Sequence, residues 1–286
     1  VTGNTRPGPT DITQGDDDMT LNRRTFLGAA TGLALTLASL PAGADEVLRV
    51  GSYPANPPWE NRNADGAFEG FEVDIVNEIA RRIGRTAEIE GYDFRALFVA
   101  TASGRVDIVI SSLTITDERL QSQSFTQAYV EGAMGIGVRS GSDIHGLADL
   151  RGRRIGTIAT SAPETYMNER AAEIGFAANN SYDSTANMLT DLMSGRIDAV
   201  VNDVVGLRYA FSQMQGLEVA YEIVTGERFA MMMPKDSPLL QPVNDAISAM
   251  KEDGTMAALY ERWMGTPPAE GSLTVTPLPI PTPGNY

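Results

Sequence analysis

The chain of 286 residues contains no cysteine and a single histidine. Without cysteine there are no disulfides, zinc–thiolate sites, iron–sulfur clusters or thiol nucleophiles. A Ser–His–Asp triad would have to be built around His145, which sits in the polar run Ser142-Asp143-Ile144-His145-Gly146 and reads as an exposed loop residue. Positive charge is scarce too: 22 Lys and Arg face 37 Asp and Glu, giving a net charge of -15. That sign is wrong for tracking a phosphate backbone, so no nucleic-acid partner is expected. No metal or cofactor is called for. Long apolar runs are also missing: the stretch Gly28 to Leu40 covers only about 13 residues, against about 20 for a spanning helix.

What is present begins with an export signature. Residues 1–18 are polar and rich in Pro, Gly and Asp, and read as a segment upstream of Met19. Paired arginines in Asn22-Arg23-Arg24-Thr25-Phe26-Leu27 precede the short apolar stretch, and Ala42-Gly43-Ala44 follows it as a small-x-small cleavage site. Charged region, apolar region and cleavage site together describe a signal peptide, and the Arg-Arg-x-Phe-Leu core resembles the twin-arginine type. Residues 1–44 are therefore expected to be upstream segment plus signal. Cleavage near Ala44 would leave a mature chain that works outside the cytoplasm, in the periplasm.

The mature chain repeats itself weakly. Leu48-Arg49-Val50-Gly51-Ser52 returns in outline as Arg153-Arg154-Ile155-Gly156-Thr157. Ser103-Gly104-Arg105-Val106-Asp107-Ile108-Val109-Ile110 returns as Ser194-Gly195-Arg196-Ile197-Asp198-Ala199-Val200-Val201. A period of roughly 100 residues is a duplicated lobe and not a solenoid repeat. Each copy reads β-α-β-α-β. The first predicts strands at 47–52, 87–89 and 106–110, with helices at 71–83, stopped by Gly84, and 94–103. The second predicts strands at 154–158, near Ser181 and at 197–201, with helices at 163–174, stopped by Gly175, and 185–194. Such alternation makes an α/β protein whose lobes are each a parallel-rich sheet flanked by helices, with a cleft between them.

Ligands of open parallel sheets lie beyond the carboxyl ends of the strands. After 106–110 come Ser111, Ser112, Thr114 and Arg119; after 197–201 come Asn202 and Asp203. After 154–158 come Thr160 and Ser161, with Ser161-Ala162-Pro163-Glu164 as a capping box. Arg119 and a helix start suit a carboxylate, and Asp203 suits an ammonium, so the set is complementary to a zwitterion. Each residue has a plainer alternative. Arg119 would pair with Glu118 on the surface, Asp203 would cap the next helix, and the hydroxyls would satisfy a turn. Met231-Met232-Met233 reads as a core strand, not a metal site.

From about Val47 to Gly265 the chain resembles the family 3 periplasmic solute-binding proteins, the amino-acid receptors of ABC importers. The matching stretches include Pro58-Trp59-Glu60, Gly70-Phe71-Glu72-Val73-Asp74, Ser111 to Arg119, Phe125-Thr126-Gln127-Ala128-Tyr129, Ser194 to Asp203 and Tyr260-Glu261-Arg262-Trp263-Met264-Gly265. The resemblance implies the two-lobed type II periplasmic-binding-protein fold. Lobe 1 would comprise 45–132 and 230–265, lobe 2 would comprise 133–229, and hinges would lie near 131–135 and 225–230. It implies that Arg119, helped by Thr114, Ser112 and Ser161, grips an α-carboxylate, and that Asp203 and Ser112 take an α-amine. Phe94 stands where relatives place an apolar wall, although it could equally belong to a helix core. Asn56 replaces a frequent aromatic. Tyr53 replaces the acidic residue of receptors for cationic amino acids, which points to a neutral ligand, polar or aromatic. Thr160-Ser161 replaces the usual Gly-Thr. The implied protein is a monomeric, non-enzymatic receptor that closes on its ligand and docks on an inner-membrane permease. The alternatives are an exported dehydratase of the cyclohexadienyl or arogenate type, which needs a cleft acid beyond Asp203, and a free-standing scavenger. The Pro-rich tail, 266–286, is expected to be extended, as a partly disordered end or a surface strap.

Overall fold

The computed structural model describes residues 46–286; the expected export segment and its cleavage site lie outside the described residues. Strand β1 (Glu46–Ser52) leads into a small antiparallel sheet of β2 (Ala55–Asn56), β3 (Glu60–Arg62) and β4 (Phe68–Glu69). Then come α1 (Phe71–Arg82), β5 (Arg85–Gly91), α2 (Phe94–Ala102), β6 (Ile108–Thr114), α3 (Asp117–Ser122), β7 (Gln123–Phe125) and the long β8 (Val130–Arg139). The second series is β9 (Arg154–Ile158), α4 (Ala162–Glu169), α5 (Ala171–Ile174), β10 (Ala178–Tyr182), α6 (Thr185–Met193), β11 (Ala199–Asp203) and α7 (Val204–Gln213). The chain closes with β12 (Leu217–Pro234), α8 (Leu240–Glu252) and α9 (Thr255–Met264).

Both predicted β-α-β-α-β units are present, each with its strands in parallel: β5-β1-β6 in the first and β10-β9-β11 in the second. They are not separate sheets. Antiparallel β8 and β12 lie between them, so one ladder runs β10-β9-β11-β8-β12-β6-β1-β5. The β8–β12 register slips between Ile223 and Glu227, where the paired strands pass from one half to the other.

Periodicity explains the helices. On α1 Phe71, Ile75, Val76 and Ile79 are buried while Arg81 is exposed, and Gly84 follows at φ 71. Met231, Met232 and Met233 are all fully buried, with Met231 and Met233 packed against α1 and α8 and Met232 against α2 on the other face. That is the alternation of a doubly covered strand.

Several boundaries differ from the sequence reading, and the strand read as 87–89 runs from 85 to 91. The strand read as 106–110 runs from 108 to 114, and the one read as 197–201 runs from 199 to 203. Both continue into polar residues because neighbouring strands supply ladder partners: Thr114 sits opposite Phe229 and Asp203 opposite Met134. The helix read as 163–174 breaks at Arg170, whose backbone lies at φ -101 and ψ 10.

The tail is a strap. Leu273 and Thr274 are buried, and Leu273 and Leu278 pack on the cluster that holds Leu97 and Phe125. Leu278 N donates to Gln127 Oε1 at 2.9 Å, and Gly284 N donates to Asp117 Oδ1 at 2.7 Å. Lys251 Nζ donates to the carbonyls of Ala128 and Thr276, and burial pulls this amine down to about 7.

Gly70 is the most constrained glycine. At φ 141 its missing Cβ would stand 2.2 Å from the carbonyl oxygen of Trp59. Gly70→Ala should lower stability by about 2–5 kcal/mol, from backbone strain together with overpacking. Gly84→Ala, in open space at φ 71, should cost only about 1–2 kcal/mol. Urea midpoints of the two variants test this; equal losses would contradict it.

Candidate functional site

The carboxyl ends of β6, β9 and β11 converge on one cavity of about 520 Å³, its open mouth included. From the first half it is lined by Tyr53, Asn56, Phe94, Ser112, Thr114 and Arg119. From the second come Ile158, Ser161, Thr185, Asn202 and Asp203, and β12 adds Glu227 and Phe229. Eight of the nine residues singled out in the sequence therefore meet here. Ser111 does not: it is buried one layer below, where its Oγ donates to Glu60 Oε1 at 3.0 Å and accepts from Tyr53 N at 3.2 Å.

Arg119 is placed by the short helix α3, whose cap residue Thr116 accepts from the Arg119 amide through Oγ1 at 3.1 Å. The guanidinium donates to Thr114 O at 2.7 Å and to Thr160 O at 3.1 Å, one carbonyl from each half. It lies 5.0 Å from the centre of the Phe98 ring. Desolvation lowers its pKa to about 10, so it stays charged at neutral pH. The surface pair with Glu118 does not form: among the described residues no carboxylate lies within 4 Å of Arg119.

Asp203 caps the following helix and also lines the cavity. Its Oδ2 caps α7 by accepting from Gly206 N at 2.7 Å and also accepts from Trp59 Nε1 at 2.8 Å. Oδ1 is buried and, among the described residues, has no donor. Burial raises this carboxyl, against the pull of the Trp59 and α7 N–H groups.

The start of α4 is a poorer anion site than its capping box suggests. Ser161 Oγ accepts from Glu164 N at 3.2 Å, but the Glu164 carboxylate reaches past the cap to Thr160 N at 2.7 Å. Pro163 has no N–H, and Ser161 N is bonded to Ile158 O. Thr160 occupies φ 62, the left-handed region in which the glycine it replaces would be relaxed.

Beneath the cavity floor lies a layer of acids. Glu60 and Glu72 are fully buried. Glu60 Oε1 accepts from Asn56 Nδ2 and Ser111 Oγ, both at 3.0 Å, while Oε2 has no donor among the described residues. Glu72 accepts from the Tyr129 hydroxyl and, at 2.9 Å, from the amide of Ser112, which is held at φ 42. Two neighbouring carboxyls without a cation cannot both ionise in a dry interior. Burial and the adjacent Glu72 push Glu60 well up, so Glu60 keeps the proton. Asn56, bonded to both Glu60 and Ser112 Oγ at 3.0 Å, couples this layer to the cavity.

The cleft is closed in this structure. The Trp59–Asp203 bond crosses it, as do Thr185 N to the Tyr53 hydroxyl at 3.0 Å and an ion pair between Arg95 and Asp183 at 2.7 Å. Sequence reasoning missed Glu60, Glu72, Trp59 and Glu227 as working residues. The first three lay in stretches noted for resemblance, and Glu72 gave a signal of its own as an acid on the buried face of α1. Glu227 gave none, and it overturns the expectation that Asp203 is the one carboxylate in the cleft.

Comparison with known proteins extends over most of the chain. A family model described as bacterial extracellular solute-binding proteins, family 3, matches residues 48–266. The histidine-binding periplasmic protein of Salmonella typhimurium is 30% identical, covering 82% of this chain and 95% of its own. The L-arginine-binding protein of Pseudomonas aeruginosa is 30% identical over 85% and 96%. Among solved structures, an ancestral arginine-binding protein bound to arginine superposes with a TM-score of 0.73 at 33% identity, covering 77% of this chain and 98% of that one.

Glu60 generates a pH prediction. The folded state keeps a proton that the unfolded chain releases near pH 4.3, so its stabilisation is complete below that pH and is lost as pH rises towards the folded pKa. Glu60→Gln keeps the neutral form at every pH. Its stability relative to the parent should therefore grow between pH 5 and 8, by at most about 1.4 kcal/mol per pH unit. Denaturant midpoints across that range are the check, and a constant difference would refute the assignment.

Proposed function

The chain belongs to the family 3 bacterial extracellular solute-binding proteins, and on that premise we propose that it captures an amino acid, or a similar small zwitterion, and delivers it to the permease of an ABC importer. One observation carries this reading. The Arg119 side chain and that of Asp203, whose buried Oδ1 has no donor among the described residues, line the same cavity. A ligand carboxylate on Arg119 and a ligand ammonium on Asp203 would supply the partners that these desolvated charges lack. Thr114 and Ser112 would add hydroxyl contacts, Phe94 and Tyr53 would wall the side chain, and Asn56 would bear on it from the floor. Ser161 would contribute little to the carboxylate, because its own N–H is bonded to Ile158 O and its Oγ to the Glu164 amide. Ser111 would act from below, by holding Tyr53 and Glu60.

Ligand capture would proceed by closure of lobe 1, residues 45–132 and 230–265, on lobe 2, residues 133–229, about hinges near 131–135 and 225–230. The register slip between Ile223 and Glu227 supports a flexible point there. The protein would act as a monomer in the periplasm after loss of residues 1–44. The relatives' names support the importer: one is an ABC transporter arginine-binding protein of Escherichia coli, and a solved neighbour is the substrate binding protein of an amino acid ABC transporter. This scheme involves no catalysis.

Melting the mature protein against the twenty amino acids tests the reading. A ligand at 100 times its Kd should add about 2.7 kcal/mol of stability. Arg119→Ala should then weaken binding of the hit by about 30-fold to several thousandfold in calorimetric titration, the cost of about 2–5 kcal/mol for stranding one partner of a buried charge pair. Unchanged affinity would overturn the carboxylate role. Prephenate belongs in the same panel, and the appearance of product would promote the dehydratase.

A further inference from the structure

The cavity holds more negative charge than a zwitterion can use. Glu227 lies on β12 where the register slips, its side chain lines the cavity beside Thr114 and Asp203, and it is 8% exposed. Thr114 Oγ1 donates to its Oε1 at 2.8 Å. Arg119 does not neutralise it directly: the guanidinium is bonded to the carbonyls of Thr114 and Thr160, and no ion pair within 4 Å joins the two among the described residues. Burial, with the nearby charge of Asp203, raises this carboxyl, against the Thr114 and Thr225 hydroxyls and the charge of Arg119, so a cation brought beside it would be met by a carboxylate that now lacks one. The charged groups lining the cavity are thus one cation, Arg119, and two acids, Asp203 and Glu227.

A neutral zwitterion would engage Arg119 and Asp203 and seal Glu227 away from water with no cation against it. Enclosing an uncompensated carboxylate is strongly unfavourable, whereas a ligand with one more positive charge leaves the closed site electrically balanced. Tyr53 supplies no charge to such a ligand, its hydroxyl being bonded to the Thr185 amide, so Glu227 would have to be the acid for the second cation, in place of the acidic residue that Tyr53 replaces.

We propose that the ligand is an amino acid with a second cationic group, a guanidinium, ammonium or protonated imidazole, and that Glu227 is the residue that selects for it. The proposal rests on the amino-acid reading of the site. It differs from that reading in using a carboxylate from the hinge strand, outside the strand ends that hold the other charged groups.

Arginine and citrulline are nearly the same shape and differ by one charge, so they isolate the effect. Calorimetric titration of the full-length mature protein should show arginine binding at least about tenfold tighter than citrulline, which corresponds to about 1.4 kcal/mol. Glu227→Gln should bring the two affinities to within about threefold of each other, roughly 0.6 kcal/mol. Glu227→Asp, which keeps the charge, should retain a preference for arginine. Thermal melting of ligand-free Glu227→Gln verifies that it is folded, and in its place the parent's arginine-to-citrulline ratio alone decides the matter. If other amino acids bind while arginine has no advantage over citrulline in the parent, or if Glu227→Gln keeps the full advantage, the selection by Glu227 is overturned and the receptor reading stands. If no amino acid binds the parent, both fail together.

Discussion

The hydrogen bond from the Trp59 indole to Asp203 is the contact on which the site turns. Trp59 is fixed in the first half, wedged between Phe71 and Phe229, while Asp203 ends β11 in the second. The indole and the α7 amide both take Oδ2, which leaves Oδ1 buried without a donor among the described residues. The same bond ties the first half to the second across the cavity. Gly70 belongs to this arrangement, because only a residue without a Cβ lets the chain pass so close to the Trp59 carbonyl.

Around that contact the protein arranges its charges in depth. Below the floor Glu60 keeps its proton, and hydroxyls and amides bond to Glu60 Oε1 and to Glu72. The two acids set the positions of Ser111, Ser112 and Asn56. Asp203, Glu227 and Arg119 lie above them and line the cavity. The layering resolves a conflict: polar groups dense enough to recognise a small molecule are costly to bury, and an acid pair that keeps one proton supports them at less expense than two ions.

The doubled α/β architecture was legible because apolar periodicity and glycine stops are local signals, and both survive in one sequence. Strand ends were less so. Ser111 to Thr114 read as loop because hydroxyls break an apolar run, yet in the sheet they stay in the ladder and bond to buried acids. Arg119 and Asp203 could be found from their place after buried strands. Glu227 could not, since β12 brings it to the cavity from more than a hundred residues beyond Thr114, in a segment whose sequence marks only a bend. The break at Arg170 and the docking of the tail through Leu273 are likewise products of tertiary contact.

The place of β12 between β8 and β6 has a consequence for synthesis. Until residues 217–234 have left the ribosome, β6 has no neighbour on that side, and its apolar run Ile108–Ile110 belongs to an unfinished sheet edge. At about 5–20 residues per second, the hundred or so residues that separate the two strands keep that edge open for on the order of 5–20 s. An open apolar edge is a template for pairing with other chains. The first half of this protein is thus translated early and completed late, and its most aggregation-prone interval is set by the order of strands in the sheet.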